Sequence, residues 1–385
     1  MGSITGYVEG FYGRLLDWAD RVRLLDSIAK GGMNSYFYAP KDDPLHRQHW
    51  RQPYDKDWLE HFSNFANAAA DRGVSVIAGI APGLDFDFGC LDRTTKRTDL
   101  SCLVDKAKSL IGAGATHVAL MMDDIDADFD KRRCGFNSEG SAHGALTNRL
   151  GEALGVPVIL VPRIYADSLS NADDPQSLTY LVDLAASLAP QHRPIYCGDD
   201  IVARTIGADA GGHLDSKRVI VWDNFYANDY CPRRLFIGPW RNRGKAANLL
   251  LNPTGMIETD LVLLALMAAS HKMDSQAACK AAWQEVITAI NLPDAFAVIA
   301  FYLDAPFGFT PAFDIPNDDD ALAALDDLLW RWKAPLQREW YPILMGLKQD
   351  ILIANGNMSE VRMGKTQLLP LANTLNSSRF VSFDD

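Results

Sequence analysis

The chain has 385 residues, 48% of them apolar, which allows one large domain with a sizeable core and a smaller domain beside it. Its net charge of −12 argues against a nucleic-acid backbone or an anionic membrane surface as the main partner. No run supplies the roughly 20 apolar residues of a membrane helix. The first thirty residues carry Asp17, Asp20, Arg21, Arg23 and Asp26 in place of an apolar leader core, so a cytoplasmic location is expected.

The first two thirds alternate short β-rich runs with longer helical patterns. The runs are Gly6–Glu9, Asn34–Tyr38, Val74–Ile80, Thr116–Met122, Val156–Val161, Arg193–Cys197, Arg218–Trp222 and Asn248–Leu251. Each is short, rich in Val, Ile, Leu or Tyr, and bounded by Gly, Pro, Asn or Asp. Near-continuous apolar runs such as VSVIAGI and VPVILVP suit strands buried on both faces of a parallel sheet. Amphipathic stretches lie between them, as in Leu59–Arg72 and Leu100–Gly112. Eight strands alternating with helices predict an α/β chain folded as a (β/α)₈ barrel. An open doubly wound sheet is the alternative, but the GxGxxG turn it usually carries after its first strand is missing. Beyond Asn252-Pro253, Ile257–Ser270 reads as the last barrel helix. Helical periodicity then continues through Ser275–Ile290, Ala321–Lys333 and Leu336–Ala354, with a polar break at Asp314–Asp320. The expected division is a catalytic barrel over 1–270 and an appended helical domain over 271–385.

In such a barrel the active site lies at the C-terminal ends of the strands. Nearly every predicted strand ends there in polar or ring-bearing residues: Glu9-Gly10, Lys41-Asp42-Asp43, Asp85, Asp123-Asp124, Tyr165, Asp199-Asp200, Trp222-Asp223-Asn224 and Asn252. Asp and Asn favour turns anyway, which explains any one of these but is a poor account of a whole rim. Asp123 and Asp124 emerge directly from an apolar run, and two adjacent carboxylates cannot both ionise cheaply when partly buried. One of them is therefore expected to titrate high, as a general acid requires. Successive strand residues point to opposite faces, so both reach one substrate only if the strand end twists. A calcium loop starting at Asp124 fails, because its sixth and twelfth positions hold Phe129 and Gly135 where Gly and Glu are needed. The six cysteines form no CxxC pair and sit at no zinc-ligand spacing with His, so reduced thiols are expected. No metal or cofactor is expected. The stretch Trp222–Arg243 is dense in aromatics and amides, a composition that serves sugar rings by stacking and hydroxyls by hydrogen bonding. A packed loop with buried rings is its other reading.

Several segments resemble glycoside hydrolase family 84, the O-GlcNAcases and related bacterial β-N-acetylglucosaminidases. Val8–Arg14 (VEGFYGR), Tyr38–Arg47 (YAPKDDPLHR) and Ala81–Leu84 (APGL) look like its first three strand ends. Leu120–Ile125 (LMMDDI) is similar to its catalytic aspartate segment. Trp222–Tyr230 (WDNFYANDY), Arg234–Pro239 (RLFIGP) and Leu251–Pro253 (LNP) are similar to its sugar-binding loop and eighth strand end. Order and spacing agree from about Gly6 to Ala268. Strand five departs, reading VPRIY where some relatives have Cys and Thr-Glu. The resemblance implies a retaining β-N-acetylglucosaminidase in which the substrate's own acetamido carbonyl attacks the anomeric carbon, giving an oxazoline. It implies that Asp123 orients the acetamido N–H and that Asp124 is the acid and base. Tyr165 would hold the acetamido oxygen, and Trp222 and Asn224 would line that pocket. Gly10, Lys41, Asp229 and Asn252 would hold the sugar hydroxyls. The implied partners are GlcNAc-bearing glycoproteins, glycopeptides or glycans. The competing readings are a hyaluronidase-like endo-hexosaminidase, which the acidic charge disfavours, and a catalytically silent GlcNAc-binding module, which would not be expected to keep both aspartates.

Overall fold

A computed structural model of the chain describes residues 2–92, 98–131, 134–206, 213–244, 246–271, 273, 275–357 and 359. All eight predicted runs form strands: β1 (Thr5–Glu9), β2 (Ser35–Tyr38), β3 (Ser75–Ile80), β4 (His117–Met121), β5 (Val158–Val161), β6 (Arg193–Tyr196), β7 (Ile220–Asp223) and β8 (Leu249–Leu251). Each pairs in parallel with the next, and β1 pairs with β8 through Gly6↔Leu250 and Tyr7↔Leu251. The sheet is therefore a closed eight-stranded barrel.

Short polar side chains cap the starts of the first five helices. In α1 (Trp18–Lys30) Asp17 accepts from the Asp20 N–H, and in α2 (Lys56–Asp71) Asp55 accepts from that of Trp58. A Thr98–Ser101 capping box opens α3 (Asp99–Gly112). Ser138 caps α4 (Glu139–Leu154), which ends at Gly155 with φ +69°, a left-handed stop that suits glycine. After β5 comes α5 (Pro175–Ser187), and after β8 comes α6 (Ile257–Ser270). Among the described residues no helix stands between β6 and β7 or between β7 and β8. Those connections are rich in Gly, Asp, Asn, Arg and Pro, and lack the 3.6-residue apolar period a surface helix needs. Buried polar locks hold them instead. Asp223 accepts from Trp240 Nε1 at 2.8 Å and Arg243 Nη2 at 3.2 Å, and Arg241 grips Asp304 through two bonds of 2.8 and 3.1 Å.

The chain divides into two compact units. The first comprises everything up to Pro232, Phe236–Ile290 and Asp304–Ala312, and so contains the barrel and α7 (Gln276–Ala289). The second contains Arg233–Leu235, Asn291–Leu303 and the chain from Phe313, with α8 (Ala295–Ile299), α9 (Asp318–Asp326) and α10 (Pro335–Ala354). A π-helical turn, Asp327–Arg331, follows α9 where the sequence suggested one continuous helix. The expected pattern over Leu336–Ala354 is α10, and the part of the expected 271–385 domain beyond residue 359 lies outside the described residues. Among the described residues no helix is long and apolar enough to cross a membrane.

The barrel interior follows the two-residue period of its strands. Val8, Phe37, Ala39, Ile77, Ala119, Met121, Ile159, Val161, Ile195, Ile220 and Leu250 point inward and are buried together. The outward set packs under the helices. Tyr7 and Tyr36 stack at 5.4 Å, and Glu9 is wholly buried against Arg21 at 2.8 and 2.9 Å and Tyr36 Oη at 2.6 Å. Glu9, expected on the rim, thus faces away from the mouth.

The β1–β8 seam has its own lock. Buried Asp260, in the first turn of α6, accepts from Tyr7 Oη (2.9 Å), Thr254 N (3.0 Å), Thr254 Oγ1 (2.7 Å) and Gly255 N (2.9 Å). Replacing it by Ala strands these donors, each at about 1–3 kcal/mol. Asp260→Ala is expected to lower barrel stability by about 3 kcal/mol or more, read as a fall in melting temperature. An unchanged melting temperature contradicts the seam's dependence on this residue.

Candidate active site

The inward period does not stop where the strands stop. In β1 it runs Gly6, Val8, Gly10. In β2 it runs Phe37, Ala39, Lys41. In β4 it runs Ala119, Met121, Asp123. In β7 it runs Ile220, Trp222, Asn224, and in β8 Leu250, Asn252. The chemistry-bearing side chains form the next layer above the apolar plug. A cavity of about 510 Å³ opens there, and all nine residues singled out in the sequence line it: Gly10, Lys41, Asp123, Asp124, Tyr165, Trp222, Asn224, Asp229 and Asn252.

Two of them reach it by special means. Asp124 has the outward parity, but its φ of +52° turns the chain at the end of β4 and brings its carboxylate into the same mouth as that of Asp123. Such backbone in a non-glycine residue costs of order 1–3 kcal/mol and persists where the surroundings impose it. Here Arg47 Nη2 donates to the Asp124 carbonyl at 2.6 Å. Tyr165 lies past β5, where the Cys197 N–H bonds its carbonyl at 2.7 Å and Ala166 bridges Gly198, extending the β5–β6 pairing upward.

Lys41 divides the two carboxylates. Its ammonium, 2% exposed, contacts Asp123 Oδ2 directly and stands 3.6 Å from Asp124 Oδ2. Asp123 Oδ1 is buried and has no hydrogen-bond partner among the described residues. Asp124 is better supplied: Tyr165 Oη donates to Oδ1 and Tyr12 Oη to Oδ2, each at 2.7 Å. Burial pushes the Asp124 pKa up, but Lys41, the two phenols and Arg47 outweigh it and hold the carboxyl below its ordinary value. The expected high-titrating carboxyl is therefore not Asp124 in the free site. Like-charge repulsion is overridden by the intervening cation and the two donors. Both phenols are pushed up, by burial and then by the Asp124 charge. Beneath the site His46 is held neutral, its pKa lowered to about 4 by burial and by Lys41.

An amide relay fixes the far wall. Trp222 Nε1 and Asn252 Nδ2 both donate to Asn224 Oδ1 at 2.9 Å, Asn224 Nδ2 donates to the Ile201 carbonyl at 2.9 Å, and the Gly10 N–H donates to Asn252 Oδ1 at 3.2 Å. Asp229 Oδ2 accepts from the Tyr12 N–H at 3.0 Å. The rest of the aromatic stretch behaves differently. Phe225, Tyr226, Trp240, Arg241 and Arg243 are buried framework, so of this stretch only residues up to Tyr230 reach the cavity. Asp43 also turns away, accepting from Tyr38 Oη and Tyr54 Oη at 2.8 and 2.7 Å. Asp200, named on the rim from sequence but given no role, also lines the cavity, as do Tyr12, Cys197, Ile201 and Tyr230, which had not been singled out. Tyr12 and Tyr230 lie inside recognised motifs, but nothing in their spacing marks them.

Residues 5–302 match the family model described as beta-N-acetylglucosaminidase. The chain is 31% identical over 282 residues to the Protein O-GlcNAcase of Mus musculus, covering 70% of this chain and 30% of that protein. The Rattus norvegicus protein of the same name matches at the same identity and coverage. The chain thus spans about 30% of the length of these curated relatives. A solved structure of a Thermobaculum terrenum O-GlcNAc hydrolase variant superposes with a TM-score of 0.75 at 20% identity, covering 97% of this chain and 90% of that one. At that identity the likeness speaks for the fold.

A Cβ at Gly10 meets Trp222 Cζ2 at 2.2 Å and Cη2 at 2.4 Å, so only glycine lets the indole lie against β1. Gly10→Ala is expected to displace the indole, at about 1–3 kcal/mol. The Trp222 indole N–H and the Asn224 and Asn252 amide resonances should all move in a ¹⁵N–¹H spectrum. Unmoved resonances contradict this packing.

Proposed function

This chain belongs to the beta-N-acetylglucosaminidase family, and on that premise we propose that it is a retaining β-N-acetylglucosaminidase acting by substrate assistance. Its substrates are terminal β-linked GlcNAc groups, including those on Ser or Thr of glycoproteins, and the intermediate is an oxazoline. The barrel is its catalytic domain.

The observation that carries this reading is the unpartnered Asp123 Oδ1. A buried carboxylate oxygen without a donor costs about 1–3 kcal/mol, yet here the other oxygen is pinned by Lys41. The vacancy has the polarity of an amide N–H. A donor from the substrate's acetamido group satisfies it and aligns the amide carbonyl with the anomeric carbon. Asp123 then stabilises the positive charge that grows on nitrogen as the carbonyl oxygen attacks. Tyr165 holds that oxygen, and Trp222, Asn224 and the apolar floor of Val161, Ile195 and Cys197 enclose the acetamido group. Lys41, Asp229, Asn252 and the Gly10 carbonyl bind the hydroxyls. Asp124, more exposed at 31% of its side chain, is the general acid toward the glycosidic oxygen and then the base toward water. Substrate-assisted families dispense with the enzymic carboxylate nucleophile. No cofactor is required. Among the described residues no disulfide joins the cysteines, in keeping with the reducing compartment, such as the cytoplasm, that we propose.

General acid help matters most where the departing oxygen is basic. Asp124→Ala is expected to lose roughly 10²–10⁴-fold in kcat/KM on alkyl glycosides and much less on nitrophenyl glycosides. Equal losses on both refute Asp124 as the acid, and no hydrolysis of either by the unaltered protein favours a silent GlcNAc-binding module.

A further inference from the structure

Both oxygens of Asp124 are taken by phenols, Tyr165 on Oδ1 and Tyr12 on Oδ2, each at 2.7 Å. Two phenols donating to both oxygens favour the ionised carboxyl, because a protonated oxygen is a poorer acceptor and needs an acceptor of its own; Lys41 and Arg47 nearby favour it further. The free site therefore holds its acid in the form that cannot perform the first step. The groups facing Asp124 are Tyr12 from beyond β1, Lys41 and Arg47 from beyond β2, Asp123 beside it, Tyr165 from beyond β5 and Cys197 from beyond β6. Lys41 is committed to buried Asp123 and Arg47 to the Asp124 backbone. The two phenols are the donors a neutral substrate can take without separating an ion pair. Tyr12 is suited to release: its residue is 45% exposed, its N–H stays anchored on Asp229 at 3.0 Å, and Gly13 with φ +78° follows it.

We propose that Tyr12 is a positioning residue of the reaction and that, with Tyr165, it forms a latch on Asp124 which the substrate opens. This rests on the hydrolase reading above. The acetamido oxygen takes the Tyr165 hydroxyl, and the glycosidic oxygen takes the position of the Tyr12 hydroxyl. Freed of one or both donors, the Asp124 carboxylate binds a proton from solvent. That proton passes to the glycosidic oxygen as its bond to the anomeric carbon breaks and the acetamido oxygen bonds to that carbon. The amide proton stays on nitrogen, hydrogen-bonded to Asp123, in the cyclic cation. Water then attacks the anomeric carbon, giving one proton to Asp124 and opening the ring. The arrangement makes the acid available only when an acetamido group is present.

The direct probe is N-acetylglucosamine binding by calorimetry, in two buffers of different ionisation enthalpy at one pH near neutrality. The unaltered protein should take up a fraction of a proton per sugar bound, and Tyr165→Phe and Tyr12→Phe should take up less, since their Asp124 is already relieved of a donor. In kinetics with an alkyl glycoside, the alkaline limb of kcat should lie at higher pH than that of kcat/KM. In either variant the kcat/KM limb should move up toward the kcat limb, a change that mere loosening of the fold does not produce. Sugar binding without proton uptake, coincident limbs in the unaltered protein, or both limbs moving together in the variants overturns the latch while leaving the hydrolase intact. Absence of both sugar binding and hydrolysis overturns the hydrolase reading and the latch with it.

Discussion

The site depends on one geometric constraint: in a closed barrel every second strand residue points to the axis, and this continues past the last ladder bond. Side chains at Val8, Ala39, Met121, Ile220 and Leu250 fill the interior, so the next inward positions have nowhere to go but the mouth. Those positions hold Gly10, Lys41, Asp123, Trp222 and Asn252. Five separate segments thus converge without a loop having to be shaped for each. The outward neighbours at the same strand ends, Glu9 and Asp223, meet Arg21 and Arg243 and serve the framework. Adjacent polar residues take opposite jobs because of parity alone.

Asp124 is the exception that the chemistry requires. Two carboxylates in sequence diverge on a regular strand, and the left-handed turn at Asp124 removes that divergence at a cost in backbone energy. Lys41 then makes the pair unequal. It binds the buried carboxylate and only approaches the exposed one, leaving Asp123 fixed with one vacant oxygen and Asp124 held by hydroxyls that can leave. One cation therefore gives two chemically identical side chains different surroundings, which in the proposed reaction suit one to orient an amide and the other to carry a proton.

The eight strands were legible in the sequence because buried parallel strands are nearly continuous apolar runs, and their ends erred by at most two residues. The strand ends made the rim residues legible as well, Tyr165 among them, and motif resemblance supplied the role of Tyr165, which its position alone does not predict. Three things were hidden. The positive φ at Asp124 goes with a bond to its carbonyl from Arg47, which lies 77 positions earlier in the chain. The low titration of Asp124 depends on Lys41, Tyr12 and Tyr165 meeting it in space, where the sequence offered only the repulsion of its neighbour. The stretch Trp222–Arg243 allowed both a binding surface and a packed loop, and it is both: its start lines the cavity, while Asp223 and Asp304 draw its arginines inward. Composition alone does not separate a ring that stacks on a ligand from one that packs in a loop.

The central claim is that the nucleophile is the substrate's amide, presented by Asp123, and not an enzymic carboxylate. The measurement that tests it most directly is kcat/KM for aryl glycosides whose N-acetyl group carries none, one, two or three fluorines, under conditions where chemistry limits the rate. Fluorine drains electron density from the attacking oxygen while changing its size little. The rate should fall steadily along the series, each 1.36 kcal/mol added to the barrier costing about tenfold. A flat response contradicts the account and makes Asp123 itself the attacking group.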